Sequence, residues 1–340
     1  MYLSTLFYIL GSRNYMSSGK MYVIADLHNR KEQPYFTINK NLLEHISNQE
    51  WNNENNYFLQ LGDFFHTSEP EPDVIGMCNN YLNNRFKFKQ TYILAGNLAH
   101  EYNRRRNVYA IDSLSGNDKI AIIKSPQVVK NGRLSMLLLP WIYDKHEILE
   151  GQTLKAYYEA LQDDGYDFIF GHFSNIEFFN EVVINLDHFK GKKILGHIHT
   201  RMNDFLGVPH IEKGQTGIIK EIDLDTGEVV NIELPDFVKY ETVNYPNKPL
   251  TDNTNIPVFI DVENAKGSEK EVISYYQSLG YYVKKVTFLE ELNKNKKDGT
   301  ITEANNKSKT LIEHFEDFSK KEKLSKKVNN KIFELLRLHN

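Results

Sequence analysis

The sequence predicts an α/β protein in which layered sheets are flanked by helices. Short apolar runs, typical of buried strands, alternate with longer segments of helical periodicity along the 340 residues. Five of the apolar runs end directly at polar side chains that carry oxygen or nitrogen donor atoms. In sheets flanked by helices, functional groups gather outside the carboxyl ends of the strands. We therefore expect the five strand ends to meet at one edge and form one site.

The predicted strands and helices follow one another in a regular order. The strands that end at donor residues are predicted at 21–25, 57–61, 91–95, 168–170 and 193–195. Helices are predicted at 38–49, 72–84 and 154–163. Further strands at 120–123, 134–140, 216–224 and 229–234 form the second half of the layered structure. Asp225-Thr226-Gly227 is typical of a hairpin turn between the last two strands.

The composition changes after residue 234. Prolines between 235 and 257 mark a connecting stretch, and a strand, a helix and a strand are predicted at 258–262, 269–279 and 281–288. A polar segment rich in Asn and Lys then precedes two apolar stripes at helical spacing, formed by Leu311, Phe315, Phe318, Val328, Ile332 and Leu335. We divide the chain into an extension (1–20), a main domain (21–250), a small α/β domain (251–292), a linker (293–309) and a helical tail (310–340).

Charge and cysteine content exclude several classes of protein. The formal net charge is −4, so the chain has no global basic field for nucleic acid, and any such contact depends on local patches. The single cysteine, Cys78, excludes a disulfide within the chain and a cysteine-based zinc site. No apolar run approaches the roughly 20 residues needed to cross a membrane, and residues 1–20 lack the features of a signal peptide. We expect a cytoplasmic protein.

The five donor groups are short and consist of residue types that bind metals. They read Asp26-Leu-His28, Gly62-Asp63, Gly96-Asn97, Gly171-His172 and Gly196-His197-Ile-His199. Each alone has a simpler explanation, since aspartate or asparagine after glycine is usually a turn residue and an isolated histidine is usually structural. Together they supply two carboxylates, one amide oxygen and four imidazoles at strand ends. Such a set is enough to hold a pair of divalent metal ions.

In order and type, these groups resemble the motifs of the calcineurin-like metallophosphoesterases, which read Asp-x-His, Gly-Asp, Gly-Asn-His-Asp/Glu, His and Gly-His-x-His. Within that family the chain is similar to the SbcD-type DNA repair nucleases and their phage homologues. This similarity rests on Gly62-Asp63-Phe64-Phe65-His66, Leu138-Leu139-Pro140-Trp141 and Gly196-His197-Ile198-His199-Thr200. For the C-terminal part of the chain, the resemblance is one of layout only.

The resemblance implies a four-layer αββα sandwich with a small C-terminal α/β capping domain and a helical tail. It implies one metal site of Asp26, His28, Asp63 and His199 and a second of Asp63, Asn97, His172 and His197, with Asp63 shared. Mixed oxygen and imidazole ligands suit Mn²⁺ best, with Mg²⁺, iron or zinc as alternatives. Two such ions activate water and hold a phosphodiester for in-line attack.

One residue of the family pattern is missing. Where the family has His and then Asp or Glu after the asparagine, this chain has Leu98 and Ala99, followed by His100 and Glu101. The family histidine contacts the phosphate and helps the leaving oxygen depart, which leucine cannot do because it has no hydrogen-bonding group. Three explanations stay open: an inactivating substitution, which the sequence alone slightly favours, a naturally weak or dead enzyme, and replacement by His100 from a shifted loop. His66 is a further candidate for phosphate contact.

The resemblance also implies a subunit of a DNA repair and recombination complex, a homodimer that acts on double-stranded DNA ends as exonuclease and endonuclease. Its partner would be an SbcC-type coiled-coil ATPase, bound by the apolar stripes of the tail. Arg104, Arg105, Arg106 and Arg201 would hold DNA phosphates. A phage-encoded protein of this kind would work in the host cytoplasm. Two other functions stay open: hydrolysis of small phosphoesters or phosphoproteins, and a non-catalytic adaptor with a relic site.

Overall fold

The computed structural model describes residues 19–103, 105–141, 158, 160–173, 184–198, 217–251 and 256–288. Of the helix predicted at 154–163, residues 154–157 and 159 lie outside the described residues, Tyr158 is helical, and residues 160–163 form a turn and irregular chain instead of a helix. Residues 1–18, the linker and the tail with its two apolar stripes lie wholly outside the described residues. The expectations for these segments therefore stay predictions.

Helices and strands alternate along the described part of the chain. The helices there are α1 (Tyr35–Ser47), α2 (Pro72–Asn80), α3 (Leu98–Glu101) and α4 (Glu269–Ser278). The strands are β1 (Lys20–Ile24), β2 (Tyr57–Gln60), β3 (Gln90–Leu94), β4 (Tyr102–Asn103), β5 (Val108–Tyr109), β6 (Ile120–Ile123), β7 (Gln127–Asn131), β8 (Leu134–Leu139), β9 (Phe168–His172), β10 (Lys192–Gly196), β11 (Ile218–Asp223), β12 (Val229–Glu233), β13 (Lys239–Asn244), β14 (Val258–Ala265) and β15 (Tyr282–Phe288). Single 3-10 and π-helical turns cover Ala110–Leu114 and Tyr81–Arg85.

The first sheet has six strands in the order β12-β11-β1-β2-β3-β6. β1, β2, β3 and β6 run parallel to one another, and β11 and β12 join antiparallel at the β1 edge. Side chains alternate between the two faces, so Tyr22 and Ile24 pack towards the helices whereas Met21 and Val23 face the second sheet. The strands predicted at 21–25, 57–61 and 91–95 occur here with their ends shifted by at most one residue.

The second sheet has four strands in the order β10-β9-β8-β7. β8, β9 and β10 are parallel, and β7 is antiparallel to β8. One face, which carries Met136 and Phe170, shares an apolar core with the first sheet. The other face carries Leu137 and Ile169 and packs under an outer layer that includes Tyr158. The prediction of a mixed α/β protein with layered sheets is therefore confirmed.

Helices α1 and α2 cover the outer face of the first sheet. Ile38, Leu42 and Ile46 of α1 lie at helical spacing and are buried in the core beneath it. Cys78 of α2 is buried in the same core, so the single cysteine is a packing residue. The helix predicted at 72–84 ends as an α-helix at Asn80 and continues as one π-helical turn. No helix in the described segments is long and apolar enough to span a membrane.

The C-terminal unit is a three-stranded parallel sheet in the order β13-β14-β15, with α4 packed against it. Its strand–helix–strand core lies where the sequence predicts it. β13, however, pairs with β14 although it lies in the stretch that we assigned to the main domain. The unit therefore begins before the predicted boundary at residue 250. The polar sequence of β13 between prolines hides a pairing that depends on contacts distant along the chain.

The C-terminal unit packs on the helix layer of the first sheet. Phe259 of β14 is part of the core that also holds α1, and its ring centroid lies 5.8 Å from that of Tyr35. The rings of His45 and Phe237 meet at 5.7 Å beside it. This places the unit on the same side of the molecule as the N-terminus of α1.

Candidate metal centre

The predicted donors of both sheets meet at one place. They lie at or just after the carboxyl ends of β1, β2, β3, β9 and β10, and they are Asp26, His28, Asp63, Asn97, His172 and His197. Because the two sheets face each other and these strands end at the same edge, the side chains converge. His199 lies outside the described residues, so its expected role stays a prediction.

Asp63 lies at the middle of this cluster. Its side chain is almost completely buried, with 1% exposed. Oδ1 lies 3.2 Å from Nε2 of His172 and accepts a hydrogen bond from the amide of Asn97 at 2.8 Å. Oδ2 lies 3.9 Å from Nε2 of His28 and 3.7 Å from Nε2 of His100. The two oxygens of one carboxylate therefore face two different sets of neighbours.

Two groups of three side chains have the geometry to hold an ion. Asp26, His28 and Asp63 form one group, and Asp63, His172 and His197 form the other. Within each group the ligand atoms all lie within 4.8 Å of one another. The carboxylate of Asp26 also accepts hydrogen bonds from the amide of His197, at 3.0 and 3.1 Å, which ties the end of β1 to the end of β10. Asp63 is common to both groups.

Four of these donors have a left-handed backbone. The angle φ is 52° at Asp26, 45° at His28, 49° at Asp63 and 85° at His197. A residue with a β-carbon loses about 1–3 kcal/mol in such a conformation, and residues of this kind cluster at functional sites. The left-handed backbone therefore directs these side chains into the cluster, and this conformation lowers the stability of the fold.

Contacts between the loops hold this geometry. The amide of His28 donates to the carbonyl of Asp63 at 2.9 Å, and the amide of Asn29 donates to the carbonyl of Phe64 at 2.9 Å. A close approach also requires glycine at position 96, because a β-carbon on Gly96 would lie 2.1 Å from both N and Oδ1 of Asp63. The glycine before Asn97 thus makes room for the shared carboxylate.

The surroundings of His172 show that the cluster fits a cation. Its Nδ1 lies 2.6 Å from the carbonyl oxygen of Leu61, and since a carbonyl only accepts, Nδ1 carries the proton. Nε2 then points at Oδ1 of Asp63 and is buried, so it makes a hydrogen bond there only when it also carries a proton. Two facing acceptors in a buried place repel unless a proton or metal ion lies between them. Histidines that bind metals commonly donate their other N–H to a backbone carbonyl in this way.

Burial and mutual charge shift the acidities in the cluster. Burial raises the pKa of Asp26 to about 8, although His172 opposes the shift. Burial also disfavours the ionised form of Asp63, but His172, His28 and His100 together hold the pKa of that carboxyl well below its ordinary value. Burial would lower the pKa of His172, yet Asp63 and Asp26 raise it to about 9. Before an ion binds, His172 therefore holds a proton against Asp63.

Asn97 lies in the expected place, but its side-chain amide nitrogen faces the cluster and its oxygen faces away. Nδ2 donates to Oδ2 of Asp63 at 3.2 Å, whereas Oδ1 accepts a hydrogen bond from the amide of Ala99 at 3.1 Å. In this orientation Asn97 positions Asp63 and the start of α3. Rotation of the amide group by half a turn would present its oxygen to the cluster.

The two histidines proposed for phosphate contact lie beside the donors. His28, His66 and His100 form a third group whose ligand atoms lie within 4.8 Å of one another. Of the arginines proposed for DNA, Arg105 and Arg106 are exposed on the β4–β5 hairpin that follows α3. Arg104, Arg201 and the apolar residues of the tail lie outside the described residues, and of Leu98 the structure describes only the backbone.

Arg30 and Trp141 lie near the cluster but are not among the site residues that the sequence predicts. Arg30 places Nη1 3.2 Å from Nε2 of His66, and its guanidinium lies 3.4 Å from the ring centroid of Tyr35. Trp141 packs beside the second group, with its ring centroid 5.3 Å from that of His197. The strand that ends in Leu-Pro-Trp was a signal for Trp141, because it ends at the same edge as the donor strands. No sequence signal marks Arg30.

A third such residue is Glu101. Its side chain is completely buried, and Oε1 accepts hydrogen bonds from the amides of Phe64 at 2.5 Å and Phe65 at 3.3 Å. Burial raises the pKa of Glu101 to about 8, and the charge of Asp63 adds to this shift. The acidic residue after the altered asparagine motif was visible in the sequence, but its burial was not.

Comparison with protein families agrees with this geometry. The pattern described as calcineurin-like phosphoesterase matches residues 19–201, more than half of the 340 residues. Among solved structures, the chain is similar to one described as a novel archaeal phosphodiesterase, with 16% identity, a TM-score of 0.34, and coverage of 63% of this chain and 99% of that chain. A search of curated proteins finds no match. The chain belongs to the calcineurin-like phosphoesterase family, whose members hydrolyse phosphoesters with divalent metal ions.

Proposed function

We propose that the chain is the nuclease subunit of a DNA double-strand break repair or recombination complex similar to SbcC–SbcD. In this proposal it hydrolyses DNA phosphodiesters, as exonuclease and endonuclease, with two divalent ions. The observation that carries the proposal is the position of Asp63 in both candidate ion groups. A carboxylate between two ion positions roughly 4 Å apart is the arrangement that two-metal phosphodiester hydrolysis uses.

Each donor has a defined part in this chemistry. Asp26 and His28 with Asp63 would hold one ion, and His172 and His197 with Asp63 would hold the other. When bound, such ions activate the attacking water and neutralise charge on the phosphate. We propose Mn²⁺, because the mixture of carboxylate and imidazole donors suits it, with Mg²⁺ as the alternative.

Features around the cluster suit a long anionic substrate. Arg105 and Arg106 are exposed on the hairpin that directly follows α3, and we propose that they hold phosphates beyond the scissile one. Elsewhere, Phe259 of the C-terminal unit packs against Tyr35, and the guanidinium of Arg30 lies over the ring of Tyr35. We propose that this unit is a capping domain that guides DNA to the centre. A small phosphoester requires neither feature.

We further propose that the tail binds a coiled-coil ATPase and that the complex is dimeric. The support is the two apolar stripes at helical spacing after a polar linker, which suit a hydrophobic groove on a partner. Deletion of residues 311–340 should abolish co-purification with the ATPase and leave the metal content intact. Co-purification of the shortened chain would contradict this assignment.

Comparison of two substrates tests the proposed activity. Linear double-stranded DNA and bis(p-nitrophenyl) phosphate are each incubated with the protein and Mn²⁺, with Asp63→Ala as the inactive control. We expect Mn²⁺-dependent degradation of the DNA by the unaltered chain alone. Hydrolysis of the small diester with intact DNA would favour the small-phosphoester function. A chain that binds no metal and is inactive on both substrates would favour the adaptor role.

A further inference from the structure

The short helix α3 turns the chain back towards the metal centre directly after Asn97. The amides of His100 and Glu101 both donate to the carbonyl of Asn97, at 3.2 and 3.0 Å, and the amide of Ala99 donates to its side chain at 3.1 Å. These bonds close one helical turn, in which Leu98 and Ala99 form the first half. A residue three positions along a helix returns to the same face. His100 therefore reaches the centre without any detour of the backbone.

The side chain of His100 lies between Asp63 and solvent. Its Nε2 is 3.7 Å from Oδ2 of Asp63, and 22% of the side chain is exposed. Its Nδ1 is 2.6 Å from the carbonyl oxygen of His66, which can only accept, so Nδ1 is the donor in that bond. The bond fixes the ring. Nε2 is then the ring nitrogen that faces Asp63, on a side chain that is partly exposed to solvent.

Glu101 anchors the turn that carries His100. Oε1 of Glu101 accepts hydrogen bonds from the amides of Phe64 and Phe65, the two residues that follow Asp63. Removal of this buried acceptor would leave two amides without partners, which costs about 1–3 kcal/mol each. The loop with Asp63 and the turn with His100 are thereby joined into one rigid piece.

His66 is less suited to act on the substrate. Arg30 can only donate, so Nε2 of His66 is the acceptor in their 3.2 Å contact. Burial lowers the pKa of His66, and the charges of Arg30 and His100 add to this effect. The ring of His66 is thus committed to Arg30, and its carbonyl holds His100.

We propose that His100 is a catalytic residue that donates the proton on Nε2 to the leaving oxygen of the phosphoester, and that Glu101 is its positioning residue. The proposal rests on the proposed phosphodiester hydrolysis. As the oxygen of water forms a bond to phosphorus, that water releases one proton to solvent, and the bond from phosphorus to the leaving oxygen breaks. That oxygen takes the electron pair of the broken bond and the proton from His100, which regains a proton from solvent. Leu98 and Ala99 are then two inserted residues. His100 and Glu101 correspond to the histidine and the acidic residue that follow the asparagine in the family pattern.

A pair of substrates with different leaving groups tests His100. The variant His100→Asn is compared with the control His188→Asn, since His188 is exposed outside the cluster and binds the carbonyl of Leu161 at 3.0 Å. A sugar alkoxide leaves DNA only with a proton, whereas p-nitrophenolate leaves thymidine 5′-p-nitrophenyl phosphate without one. We expect His100→Asn to lower the DNA rate by about 10²–10⁴-fold and the p-nitrophenyl ester rate far less. Metal content and melting temperature should match those of the control variant.

Other results would overturn the proposal in distinguishable ways. Equal losses on both substrates with intact metal content would show that His100 does not protonate the leaving group. Loss of metal from the His100→Asn variant would show that His100 is a metal ligand. An unaltered chain that binds metal but hydrolyses neither substrate would refute the proposed function itself.

Two further substitutions examine the insertion and the anchor. Leu98→His should bring no gain on DNA, because His100 already supplies the proton, and a gain approaching the roughly 10²-fold of a general acid would overturn the proposal. Glu101→Gln keeps an oxygen for the amides of Phe64 and Phe65. It should therefore retain most of the leaving-group preference, which is the ratio of the DNA rate to the p-nitrophenyl ester rate. Glu101→Ala should lose it, and a Glu101→Ala chain that keeps the full DNA rate would exclude the positioning role.

Discussion

The metal centre and the C-terminal unit differ in how well local sequence and local structure agree. In the C-terminal unit, α4 starts at a capping box of Ser268 and Glu271 and is followed by Gly280, whose φ of 86° is typical of a helix end. At the centre, four metal-binding candidates have a left-handed backbone. The other described non-glycine residues with this backbone are Asn107 and Asn264, a residue type that tolerates it.

This difference shows where the chain gives up stability for function. The C-terminal unit combines favourable local signals with apolar packing of Ile260, Val272 and Tyr276. The centre combines buried carboxylates with unfavourable backbone angles. The surrounding structure offsets the cost of both, and a bound cation would further stabilise the carboxylates. Several such departures within one cluster are typical of a functional site. Substitutions in the two regions should therefore have separable effects.

The largest effect is expected from Asp63→Asn. The substitution keeps the size of the side chain but removes the charge that both ion groups share. Loss of a residue that only supports a ligand costs about 10–100-fold, so loss of the shared ligand should lower the hydrolysis rate by at least about 10²-fold. Metal content by elemental analysis should fall in parallel. A variant that keeps two ions and its full rate would remove the basis for a shared carboxylate.

A matched pair of glycine substitutions compares Gly96, which is packed against Asp63, with Gly76 of α2, which has open space around it. In Gly96→Ala the new β-carbon would lie 2.1 Å from Asp63, so we expect lower stability and loss of metal. In Gly76→Ala the β-carbon meets no atom within 4 Å, and this helix position should gain about 0.5–1 kcal/mol. Thermal unfolding and metal analysis of both variants measure the contrast. Similar behaviour of the two would contradict the close approach at Gly96.

The third prediction concerns pH. The pKa of His172 is raised to about 9 before an ion binds, so at neutral pH an incoming ion must displace a proton. Metal affinity should therefore rise at least about tenfold for each unit of pH up to about 9 and level off above it. Calorimetric titration in buffers with different ionisation enthalpies would count the released protons. An affinity that is independent of pH in this range would contradict the ion pair of His172 and Asp63.

The smallest effect is expected in the C-terminal unit. Ser268→Ala removes the side chain that accepts a hydrogen bond from the amide of Glu271 at the start of α4. We expect a loss of about 1 kcal/mol in the free energy of unfolding, as for other helix caps. Metal content and hydrolysis rate should stay unchanged, because the hydrogen bonds between Ser268 and Glu271 are local to the start of α4. A change in metal content would show that the two regions are coupled.

The sequence predicts much of the fold and the donor set because both have local signals. The strands that lead to Asp26, Asp63 and Asn97 are short apolar runs, and they begin and end within one residue of the predicted positions. β13 was missed because its polar sequence gives no alternation, and its place depends on pairing with β14. Replacement of the family histidine by His100 is one of three explanations that the sequence leaves open, because the helical turn that brings His100 back towards Asp63 is visible only in the structure.

The residue types of the centre, their order and their attachment to strand ends were determined by the sequence alone, since each depends on a few adjacent positions. Only the tertiary structure decided that Asp63 faces both ion groups, that Leu61 fixes the ring of His172, and that Glu101 joins the turn of His100 to the Asp63 loop. These relations connect residues that are tens of positions apart. They exist only when two sheets are packed face to face, and no local pattern encodes that distance.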